Sequence, residues 1–232
     1  MAGLLCFTWS SGADTNVSRE TMLMCMESDA AQLRLVAEWL NCPIGHEQGQ
    51  MLRKYADWLN EEALPAGGLG PEEGARVWDR HVLDSLVFAG GWPDSTPGSA
   101  GDLGSGVGLP GIPLAILWPR TRWTLIDRSG RRVELVRRAV RILRLENVEV
   151  VQDDLAGHKT HYDAIVARGV KDPMILSRDM RRLLLPGGRG AIGVSRTGSY
   201  EKELPPDTRL LHVPPEVLDG GAEILIIDSR ER

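Results

Sequence analysis

Apolar positions along the chain follow two rhythms. Over the first part they recur every three or four residues, the period of a helix with one buried face. Residues 28–41 place Leu33, Val36, Trp39 and Leu40 on one side and stop before Pro43. Residues 49–64 repeat the pattern with Met51, Leu52, Tyr55, Trp58 and Leu59. A third helix is predicted over 71–89, with proline in its first turn and Val77, Val82, Leu83 and Leu86 inward. The stretch ALPAGGLGP (63–71) links the second to the third, and residues 1–26 read as an irregular extension.

From residue 99 short apolar runs alternate with amphipathic helices. RWTLID (122–127), NVEVVQ (147–152), YDAIVA (162–167) and GAIGVS (190–195) read as strands. Helices are predicted over 129–145 and 173–185, the second leading through PGG (186–188) to the next strand. TRLLHV (208–213) and AEILIID (222–228) follow with no helix between them, which predicts a hairpin. Strand–helix alternation means a parallel sheet covered on both faces. The expected fold class is therefore α/β: a Rossmann-like, mostly parallel sheet over 96–232 with a terminal antiparallel hairpin, preceded by a helical cap over 27–95. One strand is odd. The residues before Asp102 are SAG, almost without apolar side chains.

Composition narrows the class. With 232 residues, 42% hydrophobic and 25% charged, the chain reads as an ordinary soluble globular protein. No apolar run approaches the roughly 18 residues of a membrane span, and no basic residue precedes Arg19 to make a signal peptide. Cys6, Cys25 and Cys42 form no CxxC pair, so a reduced, cytoplasmic setting is expected. Net charge is −5, yet residues 118–198 hold seventeen Lys/Arg against nine Asp/Glu. That asymmetry suggests a polyanion met by one face, and it equally describes solvated arginine-rich helices.

The densest chemistry is DLGSGVGLPG (102–111), at the end of the first strand, where open sheets bind ligands. A phosphate-binding loop would need GKS or GKT after the glycines, and Leu109-Pro110-Gly111 stands there instead. Gly106-x-Gly108-x-x-Gly111 matches a dinucleotide fingerprint, beginning two residues after another glycine, Gly104. S-adenosylmethionine is the third candidate. Asp102 can attract its ammonium, the glycines, Gly104 and Gly106 among them, admit its methionine portion, and Asp127 can accept from both ribose hydroxyls. Asp127 would serve a dinucleotide equally well; the DLGSG core, the PGG and the terminal hairpin together favour the methyl donor.

RHVLDSL (80–86), DLGSGVGLPGIPLAI (102–116), LIDRSGRRVELV (125–136), LRLENVEVVQ (143–152) and YDAIVARGV (162–170) resemble, in order, the glucose-inhibited division protein B family. These bacterial enzymes methylate the 7-nitrogen of a guanosine in 16S ribosomal RNA. The resemblance implies a class I methyltransferase fold with S-adenosylmethionine contacting Gly104, Leu109, Asp127, the backbone at Leu155 and Ala156, and Arg168. It implies 16S RNA or a small-subunit precursor as partner, and a monomer is expected. The chain also departs from the family. ALPAGGLGP replaces an Asn-Leu-Thr stretch, Ala156 a glutamate, and Ala167-Arg168-Gly169 a Ser-Arg-Ala. Ser195-Arg196-Thr197-Gly198 stands for a lysine–glycine pair, and the first 45 or so residues exceed what the family requires.

Methylation of guanine at the 7-nitrogen needs no catalytic base, because an in-plane lone pair attacks directly. No catalytic residue is assigned, in keeping with a sequence that lacks a nucleophile elbow and an HExxH. Arg131, Arg132 and Arg196 are expected to meet RNA, while Arg137, Arg138, Arg141 and Arg144 read as a solvated face. His81, Asp84 and Ser85 share one helix, either closing the pocket or joining the cap to the main domain. Trp39, Trp58 and Trp78 read as cap core. Cys42 and His46 alone make no metal site. Rival readings are a methyltransferase of another RNA or of a small metabolite, a dinucleotide-dependent oxidoreductase and an inactive donor-binding module.

Overall fold

A computed structural model describes residues 19–169, 172–194, 204 and 207–229. Its first helix, α1 (Arg19–Trp39), starts well before residue 28, so the irregular reading of 1–26 is corrected over 19–26. Methionine, leucine and glutamate, with no glycine or proline, are good helix formers and carry the helix outward. Residues 1–18 lie outside the described residues.

Helix α2 (His46–Trp58) runs on through a wide turn at Leu59–Ala63. Gln48 serves both its ends of the cap: its carbonyl accepts from Gly45 N–H at 2.8 Å, and its amide donates to the Ile116 and Leu117 carbonyls at 3.1 and 3.0 Å. The third predicted helix is broken. Residues 71–73 are not helical, and short turns at Gly74–Arg76 and Val77–Leu83 lead to α3 (Asp84–Leu86) and a last turn at Val87–Gly91. Gly74 weakens the first turn, and from Val77 to Gly91 the chain stays helical while its turns change from wide to regular to tight.

The sheet has seven strands in the order β3-β2-β1-β4-β5-β7-β6. They are β1 (Ser99–Leu103), β2 (Arg122–Asp127), β3 (Val148–Gln152), β4 (Tyr162–Arg168), β5 (Leu184–Val194), β6 (Thr208–Val213) and β7 (Ala222–Asp228). Helix α4 (Gly111–Leu117) follows β1, α5 (Gly130–Leu143) follows β2, and α6 (Pro173–Leu183) follows β4. β1 through β5 pair in parallel, and β7 lies antiparallel between β5 and β6. An all-parallel dinucleotide-binding sheet would run 3-2-1-4-5-6. The inserted antiparallel strand marks the class I methyltransferase fold.

The odd first strand is explained by its place. β1 lies between β2 and β4, and neighbours bury it: a Cβ on Gly101 would lie 3.0 Å from the Tyr162 ring. β5 begins six residues before the expected 190 and includes the PGG. Its pairing with β4 shifts between Tyr162 and Ala164, where a Cβ on Gly188 would approach the Leu185 and Asp163 carbonyls to 2.9 and 3.0 Å. The cap helices share one core with α4 and α5, while α6 builds a second with Leu103, Ile165 and Ile192. Among the described residues no helix is long and apolar enough to cross a membrane.

Candidate functional site

Asp102 is the penultimate residue of β1 and is fully buried. Its Oδ2 accepts from Gly111 N–H at 3.0 Å, the amide that starts α4. Side chains are excluded there, since a Cβ on Gly111 would stand 2.6 Å from that oxygen. Neither Asp102 Oδ1 nor Ser105 Oγ has a hydrogen-bond partner among the described residues. Burial pushes the Asp102 carboxyl up to about 7, against the pull of the Ser105 hydroxyl, the Gly111 amide and the Arg168 guanidinium. The Ser105 hydroxyl is near enough to favour the ionised form without reaching hydrogen-bonding geometry. A buried acid with one oxygen unpartnered can accept a further hydrogen bond.

The glycine loop folds back on β2. Gly104 and Ser105 N–H groups both donate to the Ile126 carbonyl, at 2.8 and 3.0 Å. Gly104, Gly106 and Gly108 all have left-handed backbones, with φ of 70, 64 and 99°. At Gly106 a Cβ would meet nothing nearer than the Gly104 carbonyl at 3.9 Å, so this part of the loop fronts open space. Asp127, buried at the end of β2, braces the loop: Oδ2 accepts from Gly106 N–H at 3.0 Å and Oδ1 from Ser129 N–H at 2.9 Å. Each oxygen keeps a second lone pair for a ligand. Leu109 is buried in the core, its N–H donating to the Ser105 carbonyl.

Leu155 and Ala156 occupy the turn after β3, with Leu155 in the second core and Ala156 exposed. Arg168 ends β4 and reaches the cap. Its guanidinium donates to Asp84 Oδ2 at 3.1 Å, and to the Arg80 carbonyl and His81 Nδ1 at 3.4 Å. His81 Nε2 lies 3.0 Å from Glu73 Oε2. Because arginine can only donate, Nδ1 accepts and Nε2–H is left to donate to Glu73. Burial and Arg168 lower the His81 pKa. The His81–Asp84 pair thus joins cap to sheet rather than presenting a free base.

The arginines of α5 are partly committed. Arg131 donates to the Ala66 carbonyl, Arg132 lies 3.7 Å from Asp127, Arg138 pairs with Glu62 at 2.6 Å, and Arg137 reaches the Val150 carbonyl at 3.2 Å. Arg132 keeps 56% of its side chain exposed beside the Asp127 carboxylate. Arg196 lies outside the described residues.

The sequence profile of the rRNA small subunit methyltransferase G family, GidB, matches residues 48–211, well over half of the chain. This chain belongs to that family. It is 36% identical over 167 residues to "Ribosomal RNA small subunit methyltransferase G" of Rubrobacter xylanophilus, covering 68% of this chain and 62% of the relative. The protein of the same name from Streptomyces avermitilis is 28% identical over 222 residues, covering 88% of this chain and 90% of that one. Several relatives are thus matched over only about three fifths of their length. A Thermus thermophilus 16S rRNA methyltransferase, solved in complex with AdoMet and guanosine, superposes with a TM-score of 0.51 at 17% identity. It covers 66% of this chain and 43% of that one, and that likeness supports the fold alone.

For a member of the methyltransferase G family, three contributors escaped the sequence reading. Tyr55, read as plain core, is fully buried and donates from its hydroxyl to the Val107 carbonyl of the glycine loop at 2.9 Å. Gly68, read as linker, lies so close to that loop that a Cβ would stand 2.4 Å from Val107 Cγ1. Glu73 completes the His81 contact. Only the glycine clustering at 67, 68 and 70 signalled a close approach; Tyr55 and Glu73 carried no pattern of their own.

Proposed function

We propose that this chain is an S-adenosylmethionine-dependent methyltransferase acting on the 7-nitrogen of a guanosine in 16S ribosomal RNA, working as a monomer in the cytoplasm. The observation that carries the donor assignment is Asp102 Oδ1, a buried carboxylate oxygen without a partner, beside an open glycine loop. An ammonium is the complement of that oxygen. A pyrophosphate is not, because the Asp102 carboxylate would oppose its charge at the start of α4. In this reading Asp102 holds the amino-acid end, Gly104, Gly106 and Leu109 line it, and Asp127 accepts from the ribose. Leu155 and Ala156 offer main chain to the base, and Arg168 borders the reacting end.

When bound, the donor supplies an electrophilic methyl group: the guanine 7-nitrogen lone pair forms the new bond, the carbon–sulfur electron pair leaves with sulfur, and no proton is lost. The protein's part is then to hold the base, methyl and sulfur in line and to exclude water, a positioning contribution of several kcal/mol. Both ring nitrogens of His81 are already engaged, which suits a reaction without a base. Arg131, Arg132 and Arg196 are the proposed RNA contacts, Arg132 keeping 56% of its side chain exposed.

Two measurements test this reading. Calorimetric titration is expected to give tight binding of S-adenosylhomocysteine and weak binding of NAD; the reverse order overturns it. Single-turnover methylation of guanosine-containing RNA, at saturating donor, is expected to keep a nearly flat rate from about pH 6 to 8.5. A rate rising tenfold per pH unit and lost in His81→Ala would mean that a proton is removed, which excludes the 7-nitrogen.

A further inference from the structure

Resting on the methyl-donor reading, we infer that Arg182 is a positioning residue that fixes the main chain of the turn after β3 and thereby sets how the donor's purine is read. The turn leaves β3 directly beside Asp127, with Asp153 N–H donating to the Asp127 carbonyl at 3.2 Å. A ligand whose ribose rests on the Asp127 carboxylate therefore carries its base onto residues 154–157. Few side chains there can address a base. Leu155 is turned into the second core, Ala156 offers a methyl group, and Gly157 has no side chain. Asp153 is tied into the turn by both oxygens, Oδ2 lying 2.7 Å from His158 Nδ1 and Oδ1 accepting from Asp154 N–H at 2.8 Å, while Asp154 uses Oδ1 to accept from Ala156 N–H at 2.9 Å. Polar recognition of the base then falls to the second Asp154 oxygen and to the main chain, whose Gly157 and His158 N–H groups both donate to the Asp154 carbonyl at 3.0 Å.

The direction of that main chain is set from α6. Arg182 Nη2 donates to the Leu155 carbonyl and Nη1 to the His158 carbonyl, both at 2.5 Å. One planar fork thus holds both ends of the turn, a geometry a lysine cannot reproduce. Its anchor is firm, because Met180 and Leu183 on the same last turn of α6 are fully buried in the second core. From the other side His158 Nε2 lies 2.9 Å from the Tyr162 hydroxyl, closing the turn onto β4. Without the fork, both carbonyls turn toward water, and the N–H groups of Ala156 and Lys159, which share their peptide planes, rotate with them.

The test is calorimetric titration of the full chain with S-adenosylhomocysteine and with S-inosylhomocysteine, which differs only at the base edge. The parent is expected to prefer the adenine compound. Arg182→Gln is expected to weaken it about tenfold, the scale of lost charge-assisted hydrogen bonds, while the inosine compound changes much less. Arg182→Lys, keeping the charge on a single nitrogen that cannot span both carbonyls, falls between and serves if the glutamine variant does not fold. Equal losses for both compounds, or no loss, would overturn the inference. A parent that binds both without preference overturns it alone; a parent that binds neither overturns the methyl-donor reading with it.

Discussion

Replacing Asp102 by asparagine separates the two costs of its burial. The carboxyl moves from 3.8 to about 7 in the folded chain, chiefly because burial disfavours its charge. Between those values the folded protein holds a proton that the unfolded chain has released. Stability is therefore greatest below the unfolded pKa and falls as pH rises toward 7. Three pKa units correspond to about 4 kcal/mol, a ceiling for the loss across that window. Asparagine keeps the shape and an acceptor for the Gly111 amide, and it does not titrate. Urea unfolding of both proteins from pH 4.5 to 8, without ligand, reads the difference directly. The parent is expected to lose a few kcal/mol relative to Asp102→Asn as pH rises. Donor binding runs the other way, since an ammonium needs the ionised acid. Parent affinity should climb up to tenfold per pH unit below 7 and flatten near 7.5, while the variant binds weakly throughout. Parallel stability curves for the two proteins would refute this account of Asp102.

Three further substitutions probe the surroundings. Asp127→Ala strips acceptors from the Gly106 and Ser129 amides and should weaken S-adenosylhomocysteine by about 1–3 kcal/mol in calorimetry; unchanged affinity would remove Asp127 from the site. Tyr55→Phe deletes the hydroxyl on the Val107 carbonyl and should cost about 1 kcal/mol in chemical denaturation, with faster donor dissociation in stopped flow. Equal dissociation rates would uncouple the cap from the loop. Gly68→Ala places a Cβ 2.4 Å from Val107 Cγ1 and 2.9 Å from the Ala63 carbonyl, and overpacking of that kind should cost about 1–3 kcal/mol. An unchanged melting temperature would contradict the described contact.

The sheet was legible where side chains alternate or run apolar. RWTLID, TRLLHV and AEILIID became β2, β6 and β7 with the expected bounds. The terminal hairpin followed from two strands with no helix between them. The misreadings share a cause: local pattern was overruled by contacts distant in sequence. The SAG strand is buried by Tyr162 and its flanking strands. PGG looked like a turn and lies inside β5 as an unpaired bulge, the pairing with β4 passing from Leu184 to Arg189. Glycine occupies position 188 because a Cβ there would stand 3.0 Å from the Asp163 carbonyl. The third helix failed where periodic apolar residues sit in irregular turns. At the site, Asp102 and Asp127 could be named from strand ends. Their consequences could not, since an orphaned oxygen exists only once every other partner has been placed. Tyr55 and Arg182 act through backbone carbonyls, and no sequence pattern marks a carbonyl that needs a donor.

The central claim is methyl transfer to the guanine 7-nitrogen of 16S RNA. Its most direct test is incubation of the purified protein with methyl-labelled S-adenosylmethionine and small ribosomal subunits lacking that modification, followed by mass spectrometry of the released nucleosides. The account predicts label in 7-methylguanosine alone, from the small-subunit RNA, and its loss in Asp102→Asn and Asp127→Ala. Label in another nucleoside, in a small molecule, or nowhere while the donor still binds, would contradict it.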